Sequence, residues 1–134
     1  MKVYLIALLV LITLKGCSQE QQINSLGKVH YTASTRGYFI DLIAEEKGIL
    51  IKQERGSDGE FKSFSKDEWS TILGYVNKDM ASEKNSSSGD AAFDAAIPAK
   101  LVLSFGQKAY VHEFDHGNPP EELKPMVDYL LSFR

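Results

Sequence analysis

From Lys28 to Phe64 the apolar residues fall on every second position: Val29, Tyr31 and Ala33, then Tyr38, Ile40 and Leu42, then Ile49 and Ile51. A period of two puts such residues on one side of a pleated strand, and a helix cannot satisfy it. Gly37, Lys47-Gly48 and Asp58-Gly59 interrupt the runs at turn positions. The segment therefore reads as four short antiparallel strands, the last from Glu60 to Phe64. The period then changes. Ser65-Lys66-Asp67-Glu68 has the form of a capping box, in which the Ser65 hydroxyl accepts from the Glu68 amide while the Glu68 carboxylate reaches back. Trp69, Ile72, Leu73, Val76 and Met80 follow at helical spacing, and Trp69 is expected to pin that helix onto the sheet.

Residues 84–90, KNSSSGD, read as an exposed loop, and the small-residue run from Asp90 to Ala96 as a loop entering a strand, because Pro98 stops a helix there. Leu101–Phe105 and Lys108–Phe114 form a second hairpin around Gly106-Gln107, the Gly-X form of a type II′ turn. A two-residue loop sets Phe105 opposite Lys108, Leu103 opposite Tyr110 and Leu101 opposite His112. Leu101, Leu103, Phe105, Tyr110, His112 and Phe114 then share one side. Leu123, Val127, Leu130 and Leu131 mark a closing helix. Asn118 with Glu121 is cap-like, but Pro125 would clash inside a helix running on from Pro119. The pattern predicts one tight turn over Pro119–Leu123 and a regular helix from about Pro125. The fold expected is α+β: an antiparallel sheet of five or six strands with two helices packed on one face.

The chain opens with Lys2 and an apolar run of 12 residues from Val3 to Leu14, followed by Lys15-Gly16-Cys17. Such a run is too short to span a bilayer but fits the core of a signal peptide. Leu14-Lys15-Gly16-Cys17 resembles the lipobox of bacterial lipoproteins, with Lys15 where a small or uncharged residue is usual. The resemblance implies that residues 1–16 are removed, that Cys17 is acylated, and that Ser18 after it directs the protein to the outer membrane, facing the periplasm or the surface. Several acyl chains, at about 0.8 kcal/mol per buried methylene, anchor stably where one does not. An uncleaved anchor or an ordinary signal peptide is the other reading. Residues 17–27 then form the lipidated end and a polar tether, and residues 28–134 a single domain. Cys17 is the only cysteine, so its acylation excludes disulfides and thiolate chemistry. Without Lys2 and Lys15, 13 basic residues face 18 acidic ones, a net charge of −5 that argues against nucleic acid or anionic lipid as partners.

Glu113-Phe114-Asp115-His116-Gly117-Asn118-Pro119-Pro120 holds the residues that could carry chemistry. As architecture, Asp115 accepts from the amide of Gly117 or Asn118 in an Asx turn, Gly117 supplies a positive φ, and His116 is a partly exposed turn residue. As chemistry, Asp115 and His116 act as acid and base, or His112 and His116 bind a metal with His30 as the remaining histidine. Adjacent residues rarely form a catalytic dyad, so the orienting acid would come from elsewhere, for instance Asp90 or Asp94. His112 and His116 lie four apart on a strand end, a spacing that brings ligands together on a helix and not on a strand. No nucleophile elbow and no phosphate-cradling glycine loop occurs, and neither a cofactor nor a resident metal is expected. Arg36, in Ser34-Thr35-Arg36-Gly37, is a binding candidate for an anion or carboxylate, or pairs internally with Asp90 or Asp115. Asp90 and His112 complete the binding candidates, with His112 also read as a hydrogen-bonded core residue.

The set TRGYF, the capped Trp69 helix, GDAAFDAA, GQKAY and EFDHGNPPEELKPMVDYL resembles a group of small uncharacterised lipoproteins of Gram-negative bacteria. That resemblance implies location and no chemistry. The expected role is a non-catalytic module of the cell envelope, anchored in the membrane through Cys17 and binding a protein, peptide or glycan. Phe39, Ile43, Leu50, Val102 and Val111, on the sheet's second face, form its contact surface. The alternative is a small envelope hydrolase using Asp115 and His116. An inhibitor or periplasmic chaperone is a third class.

Overall fold

The structure, a computed structural model, describes residues 26–81 and 97–134. The signal peptide, Cys17, nearly all of the tether, the loop at 84–90 and the run at 90–96 with Asp90 and Asp94 lie outside the described residues.

Among the described residues, six strands and two helices form in the order β1 Leu26–Ser34, β2 Phe39–Glu45, β3 Gly48–Lys52, β4 Glu60–Ser63, α1 Lys66–Ala81, β5 Pro98–Phe105, β6 Lys108–Asp115 and α2 Lys124–Leu131. They build one open antiparallel sheet in the order β4-β3-β2-β1-β5-β6, so the fold is the α+β class expected, with six strands. β1 begins at Leu26, two residues before the expected start, because Leu26 pairs with Phe105 across a register shift between Leu26 and Lys28. β5 begins at Pro98, a position where the missing N–H is tolerated because it is the first residue of the strand.

The period of two does what the sequence requires of it. Val29, Tyr31 and Ala33 of β1, Ile40, Leu42 and Ala44 of β2, Ile49 and Ile51 of β3, and Ala99, Leu101, Leu103 and Phe105 of β5 are buried. Trp69, Ile72 and Val76 of α1 join the same core, as do Leu123, Met126, Val127 and Leu130 from α2 and the turn before it. Tyr75 and Tyr129 meet at 5.8 Å between ring centres and join the two helices. In the second hairpin Phe105 faces Lys108, Leu103 faces Tyr110 and Leu101 faces His112, the expected register. Gly106 has φ +59° and Gln107 has no positive φ, which excludes a type I′ turn and fits type II′.

The capping box closes in both directions. Ser65 N donates to Glu68 Oε2 at 2.6 Å and Glu68 N donates to Ser65 Oγ at 3.3 Å. Phe64, just before the cap, stacks on Trp69 with ring centres 6.3 Å apart, the hydrophobic staple of a helix start. Replacing Ser65 with alanine is expected to lower the unfolding free energy by about 1 kcal/mol in denaturant titration.

Two glycine readings are corrected. Gly48 is not in the turn but opens β3, opposite Glu45 and Ser63, and it is glycine because a Cβ there would lie 2.3 Å from Lys62 O. Gly117 does not have a positive φ; among the described residues the positive values belong to Gly56, Gly59 and Gly106. The tight turn before Pro125 and the helix that follows it are as expected, and only the cap differs. Leu123 N and Lys124 N both donate to Pro120 O, Leu123 rather than Asn118 caps α2, and Pro125 falls in the first helical turn, where it blocks no hydrogen bond.

Candidate functional site

The corner after β6 is held by its own backbone. Gly117 N donates to Asp115 Oδ1 at 3.1 Å, the Asx turn expected, and Asn118 N donates to Asp115 O at 2.9 Å. His116 N donates to Ile97 O at 2.8 Å, which ties the corner to the residue just before β5. The imidazole is thereby aimed inward, beneath the end of β1.

There it meets two tyrosines. Tyr31 sits on the inward side of β1, fully buried, and its hydroxyl lies 2.5 Å from His116 Nδ1. Tyr38, just before β2, places its hydroxyl 3.0 Å from Nε2, and Arg134 Nη1 donates to that same hydroxyl at 3.1 Å. The rings are packed as well as bonded, with centres 6.0 Å apart for Tyr31 and His116 and 5.0 Å for Tyr38 and His116. The result is a continuous chain of hydrogen bonds from Arg134 through Tyr38 and His116 to Tyr31.

The electrostatics follow from that placement. Burial pushes the Tyr31 phenol far above its ordinary range, helped by Tyr38 and Asp115 and opposed by Arg134. Burial also lowers the His116 pKa below its ordinary value, with Arg134 adding to the effect and Asp115 opposing it. A neutral imidazole has one donor and one acceptor nitrogen, and two hydroxyls satisfy both. Both ring nitrogens are therefore engaged, and the carboxylate of Asp115 serves the Gly117 amide rather than the ring.

The other candidates are dispersed. His112, on the helix side of β6, has Nε2 3.4 Å from Asp79 Oδ2 of α1, so it ties that helix to the hairpin. His30 points to the opposite side of the sheet, where Nε2 lies 2.6 Å from Asp41 Oδ1. The three histidines thus have three separate environments, and no group of three or more His, Cys, Asp or Glu side chains suited to a metal occurs among the described residues. Arg36 is exposed in the turn between β1 and β2 and makes no bond to Asp115. Asp90 lies outside the described residues. Sequence reasoning missed Tyr31, Tyr38 and Arg134 as partners of His116, and missed Arg55, which donates from Nη2 to Ser34 Oγ at 2.8 Å and to Thr35 O at 2.5 Å. The inward direction of Tyr31 was available from its strand period; its meeting with a residue 85 positions away was not.

Comparison with protein-family models, curated proteins and solved structures finds no match to this chain.

Proposed function

We propose that the protein is a lipoprotein of the bacterial cell envelope, anchored at the outer membrane through Cys17, that binds a partner protein through the open face of its sheet. One observation carries the binding half of this reading. Phe61, Leu50, Ile43, His30, Val102 and Val111 are successive cross-strand neighbours and form one row across all six strands, on the side away from the helices. Phe61 and Val111, at its two ends, are 58% and 54% exposed. On one flank the next row reads Lys52, Asp41, Thr32, Lys100 and Glu113, with Lys100 Nζ 3.1 Å from Glu113 Oε1. On the other flank stand Glu45 and Lys28.

A mainly apolar row, interrupted at its middle by the His30–Asp41 pair and rimmed by mixed charge, has the composition of a protein–protein contact. A glycan site would offer aromatic platforms, and this row has the Phe61 ring at its end and, at its middle, a His30 imidazole engaged by Asp41. An anionic membrane or a nucleic acid would be repelled by the excess of acidic residues. The engagement of both nitrogens of His116 favours binding over the hydrolase alternative, since an acid–base catalyst needs a nitrogen within reach of substrate.

The test is photo-cross-linking in cells with the full-length protein, the reactive residue placed at Ile43 or at Val102. A discrete adduct with the same protein from both positions, and none from exposed Asn77 on α1, is expected. Absence of an adduct from the sheet face, or an equal one from Asn77, overturns the reading. In the same cells Cys17→Ser is expected to leave the membrane fraction, and continued membrane retention would sink the lipid anchor.

A further inference from the structure

β6 ends the sheet, and its outer edge carries main-chain groups that no described strand takes up. Their positions follow from the corner. His116 N donates to Ile97 O on the β5 side, while Asn118 N donates to Asp115 O on the other. The β5–β6 register runs without a bulge from Pro98 opposite Asp115 to Phe105 opposite Lys108, so this alternation holds along the whole strand. Even-numbered residues of β6 therefore bond to β5, and Ala109, Val111, Glu113 and Asp115 turn their N–H and C=O groups outward. Asn118 forms a bridge with Asp115 and closes that end. The open length is Ala109–Glu113, centred on Val111.

Edge strands are ordinarily blunted by shortness, proline, charge or a bulge. β4, at the far edge, has only four residues. Ala109-Tyr110-Val111-His112-Glu113 has no proline, and its one carboxylate is engaged by Lys100. Its apolar residues are uncovered on both sides of the sheet, with Tyr110 41% and Val111 54% exposed. A strand laid beside β6 covers both at once and takes up the free main-chain groups as well.

The same strand from a second copy fits that place. Antiparallel pairing of β6 with itself about Val111 sets Val111 opposite Val111, Ala109 opposite Glu113, Tyr110 opposite His112 and Lys108 opposite Phe114. Opposed residues then share a face, as the pleat requires, and no like charges meet. The outward residues Ala109, Val111 and Glu113 of each copy also meet one another, so every free main-chain group of the open length finds a partner. Moving the centre to His112 would set Val111 against Glu113, and Ala109 against Asp115, whose outer side Asn118 already takes. In the Val111-centred register the apolar row of the open face runs from Val102 and Val111 straight into the second copy's Val111 and Val102.

We propose that two copies of the chain join edge to edge through β6, antiparallel about Val111, into one continuous sheet. This interface lies at the rim of the sheet and does not depend on what the open face binds.

Sedimentation equilibrium of the full-length protein in mild detergent is expected to show a monomer–dimer equilibrium. Hydrogen exchange is expected to find the amides of Ala109, Val111 and Glu113 protected in the dimer and open on dilution. Val111→Pro removes a donor from the free edge alone, where a sheet tolerates the loss. It is expected to raise the dimer dissociation constant about tenfold or more with an unchanged circular dichroism spectrum. Val111→Lys, which sets like charges opposite each other at the centre, is expected to act in the same direction. With Cys17→Ser removing the native thiol, Val111→Cys is expected to form an intermolecular disulfide under mild oxidation, because opposed hydrogen-bonded residues stand about 5.5 Å apart, within disulfide reach. Phe61→Cys, on β4, is the control and is expected to stay unlinked. A monomer at every concentration would leave the edge to a different protein, and protection of those amides in a monomer would assign it to another segment of the same chain. Either result overturns the proposal, as does a dimer indifferent to both Val111→Pro and Val111→Lys, or one linked through Phe61→Cys alone.

Discussion

Gly48→Ala is expected to destabilise the protein by about 3 kcal/mol, near the top of the range for forcing atoms into a packed site. The new Cβ would lie 2.3 Å from Lys62 O and 2.6 Å from Phe61 Cζ. The Phe61 ring is exposed and can swing aside. The Lys62 carbonyl is backbone and belongs to the β3–β4 ladder, so relief requires β4 to shift. That strand has only four residues, and it leads directly into Phe64, whose N–H donates to Lys47 O, and into the Ser65 cap. Lys62 also donates from Nζ to Phe133 O at 2.6 Å, which ties the edge of the sheet to the tail after α2. Hydrogen exchange is therefore expected to show protection lost first at residues 60–64, with β1 and β5 retaining theirs. Gly37→Ala is the control: a Cβ there has no atom within 4 Å and the φ is not positive, so the change should stay within about 0.5 kcal/mol. Equal stability of Gly48→Ala and wild type would show that Gly48 is not required by close approach.

Acidification is expected to unfold the protein from the corner of His116. Its pKa is lowered in the folded state, chiefly by burial and then by Arg134, while the unfolded chain titrates near 6.5. Below that value the unfolded state takes up a proton that the folded state resists, so stability is fully present above about pH 6.5 and is lost as pH falls through the lowered folded value. His116→Leu should flatten this part of the pH profile. At neutral pH the same variant strands the fully buried Tyr31 hydroxyl, at a cost of about 2 kcal/mol. Tyr31→Phe removes the stranded group, so the double variant should be more stable than the two single losses added together, with a coupling of about 1 kcal/mol or more. A pH profile unchanged by His116→Leu, or strictly additive losses, would separate the histidine from this role.

The fold was legible wherever a local rule decided it. Period two placed Val29, Tyr31 and Ala33 inward, the Ser65–Glu68 box marked the start of α1, and Gly106-Gln107 set the hairpin register on which Leu101 faces His112. Gly48 was misread because glycine serves two purposes that look alike in one dimension: freedom of φ and absence of a side chain. The surroundings of His116 were not legible for another reason. Tyr31, Tyr38 and Arg134 are 85, 78 and 18 positions from it, and only the sheet order and the docking of α2 bring them together. Arg55 was overlooked for the same reason, since its meeting with Ser34 and Thr35 depends on how the loop after β3 returns across the end of the sheet.

The central place of β1 has a consequence for how the protein is made. β1 is the first strand among the described residues, and it pairs with β2 directly but with β5 only after β2, β3, β4 and α1 have intervened. While the chain emerges in order, β2 through β4 can close as a local meander, yet one side of β1 carries unpaired N–H and C=O groups until residues 98–105 arrive. An unpaired strand edge invites pairing with other chains. The nascent protein thus passes through a stage at which its innermost strand is its most adhesive one, and the β5–β6 hairpin is the segment that ends it.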